Sequence, residues 1–215
     1  MMVCAFITVL GLFLMLAASP LGHHASGLFK IVASTGFIAL GIAAGGFHTP
    51  FGRLVLLGLV FSWWGDFFLI SGNDKIFLMG VGAFFLAHLA YCAAFLVNGV
   101  EVRWMLWSAP WMLAVFGVVG WWLHPHLGDM RIPVYAYMVV ITLMVVLAAG
   151  ATGAAGVAGA GRHYGLLAAA LLFYVSDLFV ARDRFVSHSI INPLFGLPLY
   201  YAAQIWFGYN IAILR

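Results

Sequence analysis

The chain has 215 residues, of which 66% are hydrophobic and only 7% charged, with a formal net charge of +3. Soluble domains carry about 25% charged residues, so the composition excludes an ordinary soluble domain and leaves no room for one beside a membrane part within these residues. The basic residues are scattered singly through short polar stretches, which argues against a nucleic-acid or anionic-lipid patch.

A helix needs about 20 apolar residues to cross the hydrocarbon core. Eight stretches qualify, at 3–19, 28–47, 51–70, 76–97, 103–123, 132–149, 163–181 and 194–214, each bounded by polar or turn residues. The prediction is an all-α, polytopic integral membrane protein, one domain over 1–215 with about eight transmembrane helices in one bundle. The first stretch resembles a signal peptide in length. It has no basic n-region, the first Lys or Arg being Lys30, and Pro20 follows Ala17-Ala18-Ser19, so it is expected to persist as the first helix. Gly41 and Gly45 are spaced for close helix packing. Residues 148–161, almost all Ala and Gly, are expected to form a flexible loop with frayed helix ends. Cys4 and Cys92 lie in apolar runs without metal or disulfide spacing and read as small buried side chains. The Lys and Arg residues divide almost evenly between the two sets of loops and do not choose an orientation.

Ionisable groups inside a span are costly and are functional candidates by default. Asp66, His88 and Asp177 are such residues, and Gln204 is an uncharged fourth. Helices three and seven are both odd-numbered and cross in the same direction. Asp66 and Asp177 near their exit ends are therefore expected on one face, about 6 Å inside the boundary at a rise of about 1.5 Å per residue. Lys30, Arg182 and Arg184 fall toward that face, and His88 and Gln204 lie nearer mid-membrane, which together predict one polar cavity. Structural readings stand beside these: Asp66 paired with Lys30, Asp177 paired with Arg184, and His88 or Gln204 as hydrogen bonds between helices. Tyr91, three residues from His88, is a core or interface residue on this reading. No histidine pair has the spacing of a zinc hydrolase motif, and no Gly-x-Ser-x-Gly elbow is present. No metal or other cofactor is expected.

Gly65-Asp66, the run Gly82 to Tyr91 containing Ala87-His88-Leu89-Ala90-Tyr91, Ser176-Asp177 with Arg184-Phe185, and Tyr200-Tyr201-Ala202-Ala203-Gln204 together resemble the YhhN-like lysoplasmalogenase family. Lys30 fits as well, although Ile31 stands where the family usually has proline. The resemblance covers about residues 28–205 and rests on the ordered set rather than on any one motif. It implies a multi-pass membrane hydrolase that cleaves the vinyl ether bond of lysoplasmalogens to a fatty aldehyde and a glycerophospho-base. The family's catalytic aspartates fall on Asp66 and Asp177. Lys30, His88, Tyr91, Arg184, Tyr201 and Gln204 are then expected to bind substrate or support the acids. Vinyl ether hydrolysis starts by protonating an alkene carbon, and two carboxyls can divide the acid and base roles. A lysophospholipid is the expected partner, nucleic acid is not, and a bacterial inner membrane is the expected location. The competing readings are a hydrolase of other lysophospholipids, a proton-coupled transporter and a purely structural membrane protein.

Overall fold

The computed structural model describes residues 1–18, 23–157 and 164–214. Among the described residues eight α-helices follow one another: α1 Met2–Ala18, α2 His23–Ala43, α3 Pro50–Phe68, α4 Asp74–Asn98, α5 Val102–Leu123, α6 Arg131–Val157, α7 Gly165–Ala181 and α8 Ile191–Ile213. Two short 3-10 turns, His124–His126 and Gly128–Met130, join α5 to α6, and a π-helical turn, Arg182–Val186, continues α7. Among the described residues there is no strand. Helices suit these apolar runs because lipid offers no partner to backbone N–H and C=O groups, so each segment must satisfy its own.

The chain is an all-α, polytopic integral membrane protein. Helices α2 to α6, and α7 together with its π-helical turn, are long and apolar enough to cross a membrane. α1 is apolar but has 17 residues, and α8 carries Asn192, Gln204 and Asn210 along its 23 residues. Large apolar side chains such as Phe13, Trp107, Trp111, Trp121 and Ile132 are exposed on the outside, as contact with lipid tails permits. The starts of α3, α4 and α5 are fixed by capping groups. The Thr49 hydroxyl accepts from Gly52 N–H at 3.0 Å ahead of Pro50, Asn73 Oδ1 accepts from Lys75 N–H at 2.9 Å, and Glu101 accepts from Arg103 N–H at 3.2 Å.

The helices group into two compact units, Met1–Ala94 with Gln204–Arg215, and Phe95–Ala203. In the first, small residues let helices touch. A Cβ on Gly11 would come within 2.9 Å of the Ala33 backbone, and one on Gly41 within 2.7 Å of Leu59. Gly45 plays a different part. It lies past the end of α2 in a turn at φ 90, a conformation other residues rarely adopt. α3 and α4 run antiparallel in a register set by two aromatic rings on glycines, Tyr91 against Gly58 and Phe84 against Gly65, with Leu69 over Gly80.

In the second unit, Val119, Leu123, Leu127, Val134 and Met138 form a core between α5, its following turn and α6, with Leu178 and Phe185 packed on it. The Ala/Gly run departs from expectation. It is helix to Val157, its last residues 158–161 lie outside the described residues, and so do Pro20, Gly161 and Arg162 of the expected loops. Gly150 accommodates Met105, Gly153 lies under the Trp104 indole, and Gly150 O accepts from Glu101 N–H at 2.9 Å. Small side chains here serve helix contact rather than looseness. α2 also starts five residues earlier than expected, which sets Lys30 about two turns inside the helix rather than at its mouth.

Between α7 and α8 the chain is tied by polar groups. Asn192, 2% exposed, accepts from Arg182 Nη1 at 2.5 Å and donates to Asp183 Oδ1 at 2.6 Å and to Ser187 O at 2.9 Å. Asp183 also accepts from Ser189 N–H at 3.2 Å and meets His188 Nδ1 at 3.0 Å. Removing Asn192 takes one hydrogen bond each from the half-buried Arg182 and Asp183 and from the exposed Ser187 carbonyl, each contributing about 0.5–1.5 kcal/mol and more where the group is charged. Asn192→Ala is expected to lower the unfolding free energy by about 2–3 kcal/mol, read from denaturation in detergent. A change within about 0.5 kcal/mol would mean that water replaces all three bonds.

Candidate active site

Asp66 sits in the last turn of α3 and is 2% exposed. A bare carboxylate at that burial would be expensive. Lys30 Nζ lies 3.2 Å from Asp66 Oδ1, and the Ser34 hydroxyl lies 2.6 Å from Asp66 Oδ2. Lys30 and Ser34 are four residues apart on α2 and so share one face. The Ser34 hydroxyl has one proton, and Lys30 O is also within reach at 2.9 Å. The carboxylate is the closer acceptor, and an ionised one strengthens the bond. The arrangement is an ion pair with a hydroxyl on the second oxygen. A recess of about 110 Å³, lined by Met15, Ser26, Gly27, Lys30, Leu69 and Ile70, lies beside Lys30.

His88, Tyr91, Gln204 and Ser62 are all fully buried. Tyr91 donates to Gln204 Oε1 at 2.7 Å and stacks on Phe207 with ring centroids 4.3 Å apart. The structure thus brings Tyr91 and Gln204 together, joining α4 to α8. The register of α3 against α4 puts His88 level with Ser62, one helical turn along α3 from Asp66.

Asp177 lies four residues before the end of α7 and is half-buried. Tyr137 of α6 donates to its Oδ2 at 2.5 Å. The neighbouring Ser176 turns back on its own helix and donates to Phe173 O at 2.8 Å. α7 gives way to the π-helical turn after Ala181, and Arg184 is exposed in that turn. Tyr201 is 1% exposed and meets Tyr200 edge to face at 5.0 Å, while Tyr200 packs on Phe173 at 5.3 Å. Asp66 and Asp177 belong to different units, and each is held by donors from a neighbouring helix of its own unit.

Two contacts were not foreseen from the sequence. Ser34 was legible in principle, being one helical turn from Lys30. Tyr137 carries no local sign, because one tyrosine in an apolar helix is ordinary. Only the antiparallel approach of α6 and α7 puts it beside Asp177.

The model of the YhhN family matches residues 25–210. Lysoplasmalogenase TMEM86A of Bos taurus is 31% identical over 156 residues, covering 72% of this chain and 63% of that protein. Human lysoplasmalogenase TMEM86A (Homo sapiens) is 30% identical over 160 residues, with the same 72% and 63% coverage. The lysoplasmalogenase of Mycobacterium tuberculosis (strain CDC 1551 / Oshkosh) is 28% identical over 190 residues, 81% of this chain and 64% of that protein. The chain therefore spans just under two thirds of the length of the curated relatives it matches. No solved structure matches it.

Proposed function

This chain belongs to the YhhN family, and from that premise we propose that it is an intramembrane hydrolase. Its substrate on this reading is a lysoplasmalogen, cut at the vinyl ether bond, with Asp66 and Asp177 sharing the acid and base roles. The observation that carries the reading is that each intramembrane carboxyl is met by hydrogen-bond donors from a neighbouring helix: Lys30 and Ser34 on Asp66, Tyr137 on Asp177. Such groups persist in a membrane when they have work there. Relatives named lysoplasmalogenase supply the substrate class. Spans made of helices rather than a barrel fit the inner membrane of a bacterial cell.

The reaction needs a proton delivered to the alkene carbon remote from oxygen and a negative charge beside the oxocarbenium ion that results. Asp66, paired with an ammonium, supports the second role. His88, Tyr91, Tyr201 and Gln204 are proposed as supporting residues that shape the substrate's surroundings. Arg184, exposed in the turn after α7, is proposed to meet the phosphate, where guanidinium contacts are bidentate. A contact made equally in ground and transition state acts on KM alone. Arg184→Gln is thus expected to raise KM about 10-fold, near 1.4 kcal/mol of binding, and to leave kcat within about twofold. A collapsed kcat with unchanged KM would remove Arg184 from headgroup binding.

The deciding experiment incubates purified protein with a lysoplasmalogen and with its saturated ether and ester analogues, and assays free aldehyde and fatty acid. Aldehyde from the vinyl ether alone is expected. Fatty acid from the ester would move the assignment to an ordinary lysophospholipase. No product from any of the three would overturn the enzymatic reading.

A further inference from the structure

Asn192 touches both ends of the turn that carries Arg184. We propose that Asn192 is the positioning residue of Arg184, holding the segment from which the guanidinium reaches the substrate phosphate. This rests on the phosphate role given to Arg184 above and adds the residue that makes it effective.

The turn after α7 is π-helical, Arg182–Val186, and Ser187 N–H donates across it to Arg182 O at 2.8 Å. Such turns are rare and recur at functional sites. Arg184 is its middle residue and is exposed. The Asn192 amide accepts from Arg182 Nη1 at 2.5 Å, ahead of Arg184 in the chain, and donates to Ser187 O at 2.9 Å, beyond it. It also donates at 2.6 Å to Oδ1 of Asp183, the residue next to Arg184. One side chain from the first turn of α8 thus spans the whole segment in which Arg184 stands.

The partners leave this amide one orientation. Its oxygen must face the guanidinium of Arg182, which only donates, and its nitrogen must face the carboxylate of Asp183. Asp183 is held from a second direction, since its Oδ1 also accepts from Ser189 N–H at 3.2 Å. Apolar packing fixes the other side of the turn, where Phe185 and Val186 lie on the core formed by α5, its following turn and α6. Asn192 itself is 2% exposed. A buried amide bonded in three directions therefore stands behind an exposed cation. Binding costs less when the segment that presents a contact is already ordered, because that freedom is not lost at the moment of association. The polar tie between α7 and α8 is on this account part of the binding machinery as well as a brace.

The test uses the saturated ether analogue of the lysoplasmalogen, which keeps the phosphate and lacks the reacting bond, so its Kd reads the contact without the chemistry. Asn192→Ala is expected to weaken its binding at least about 5-fold, approaching the roughly 10-fold loss expected of Arg184→Gln. On the vinyl ether substrate kcat is expected to stay within about twofold. In the Arg184→Gln background Asn192→Ala is expected to change Kd by less than about twofold, because the group it serves is gone. Hydrogen exchange read by mass spectrometry is expected to show the Ser187 and Ser189 amides opening at least about 10-fold faster in Asn192→Ala. Should that variant not fold, Asn192→Leu removes the same bonds, fills the space of the amide and carries the same expectations. An unchanged Kd with faster exchange would make the tie a brace alone and overturn the proposal. An equal loss of binding in both backgrounds, a collapsed kcat or unchanged exchange would each overturn it too. If the wild type does not bind the analogue, or Arg184→Gln binds it as the wild type does, the phosphate role of Arg184 falls first and the proposal falls with it.

Discussion

Asp66→Asn and Asp177→Asn are each expected to lower turnover of the vinyl ether substrate at least about 100-fold, the scale of a lost general acid or base. Asparagine matches aspartate closely in shape. At position 66 its amide oxygen can still accept from Ser34, and at position 177 from Tyr137, so the local packing survives. Neither amide exchanges a proton in the required role. Lys30, with 13% of its side chain exposed, can carry its ammonium toward water once Asp66 is neutral. Both variants should therefore insert and remain monodisperse in detergent, and size-exclusion profiles and melting curves report that. Turnover near the wild-type value in either variant would make that carboxyl structural and end the two-acid mechanism.

Lys30→Met carries the larger expected effect on stability. It leaves the Asp66 carboxylate, 2% exposed, without its cation. Breaking a buried pair by removing one partner costs about 3–5 kcal/mol, whereas replacing both partners is often neutral. Lys30→Met is expected to lose that amount in detergent unfolding titrations, and Lys30→Met with Asp66→Asn is expected to recover most of it. A double variant no more stable than the single would show that Lys30 contributes by packing its stem rather than by its charge. The same single variant should lose turnover with little change in KM. The ammonium lies on Asp66, the pairing that the sequence offered as the structural reading.

The eight helices were legible because lipid imposes one simple demand, about 20 apolar residues per span, and polar residues such as His48-Thr49-Pro50 punctuate the runs. Where the reading failed, packing overrode local rules. Glycine disfavours helix in water, so the Ala/Gly run read as a loop. Inside the protein, Gly150 and Gly153 are the positions at which α6 admits Met105 and Trp104. Lys30 read as a boundary residue because charge usually marks a helix end, yet Asp66 of α3 supports it two turns in. Tyr91 and Gln204, singled out separately from the sequence, meet each other. That partnership needed the return of α8, which no local pattern encodes. Tyr137 was invisible for the same reason, since its meaning lies wholly in α7.

The Ala/Gly stretch also bears on how much information a plain-looking segment holds. From residue 148 to 155 every position except Ala154 is buried. A saturation library over those eight residues would be stripped of nearly all its members by collision with neighbouring helices, and variety would survive mainly at Ala154. The part of the chain with the smallest alphabet is thus among its least interchangeable, and a filter that discards it as low complexity discards a contact surface.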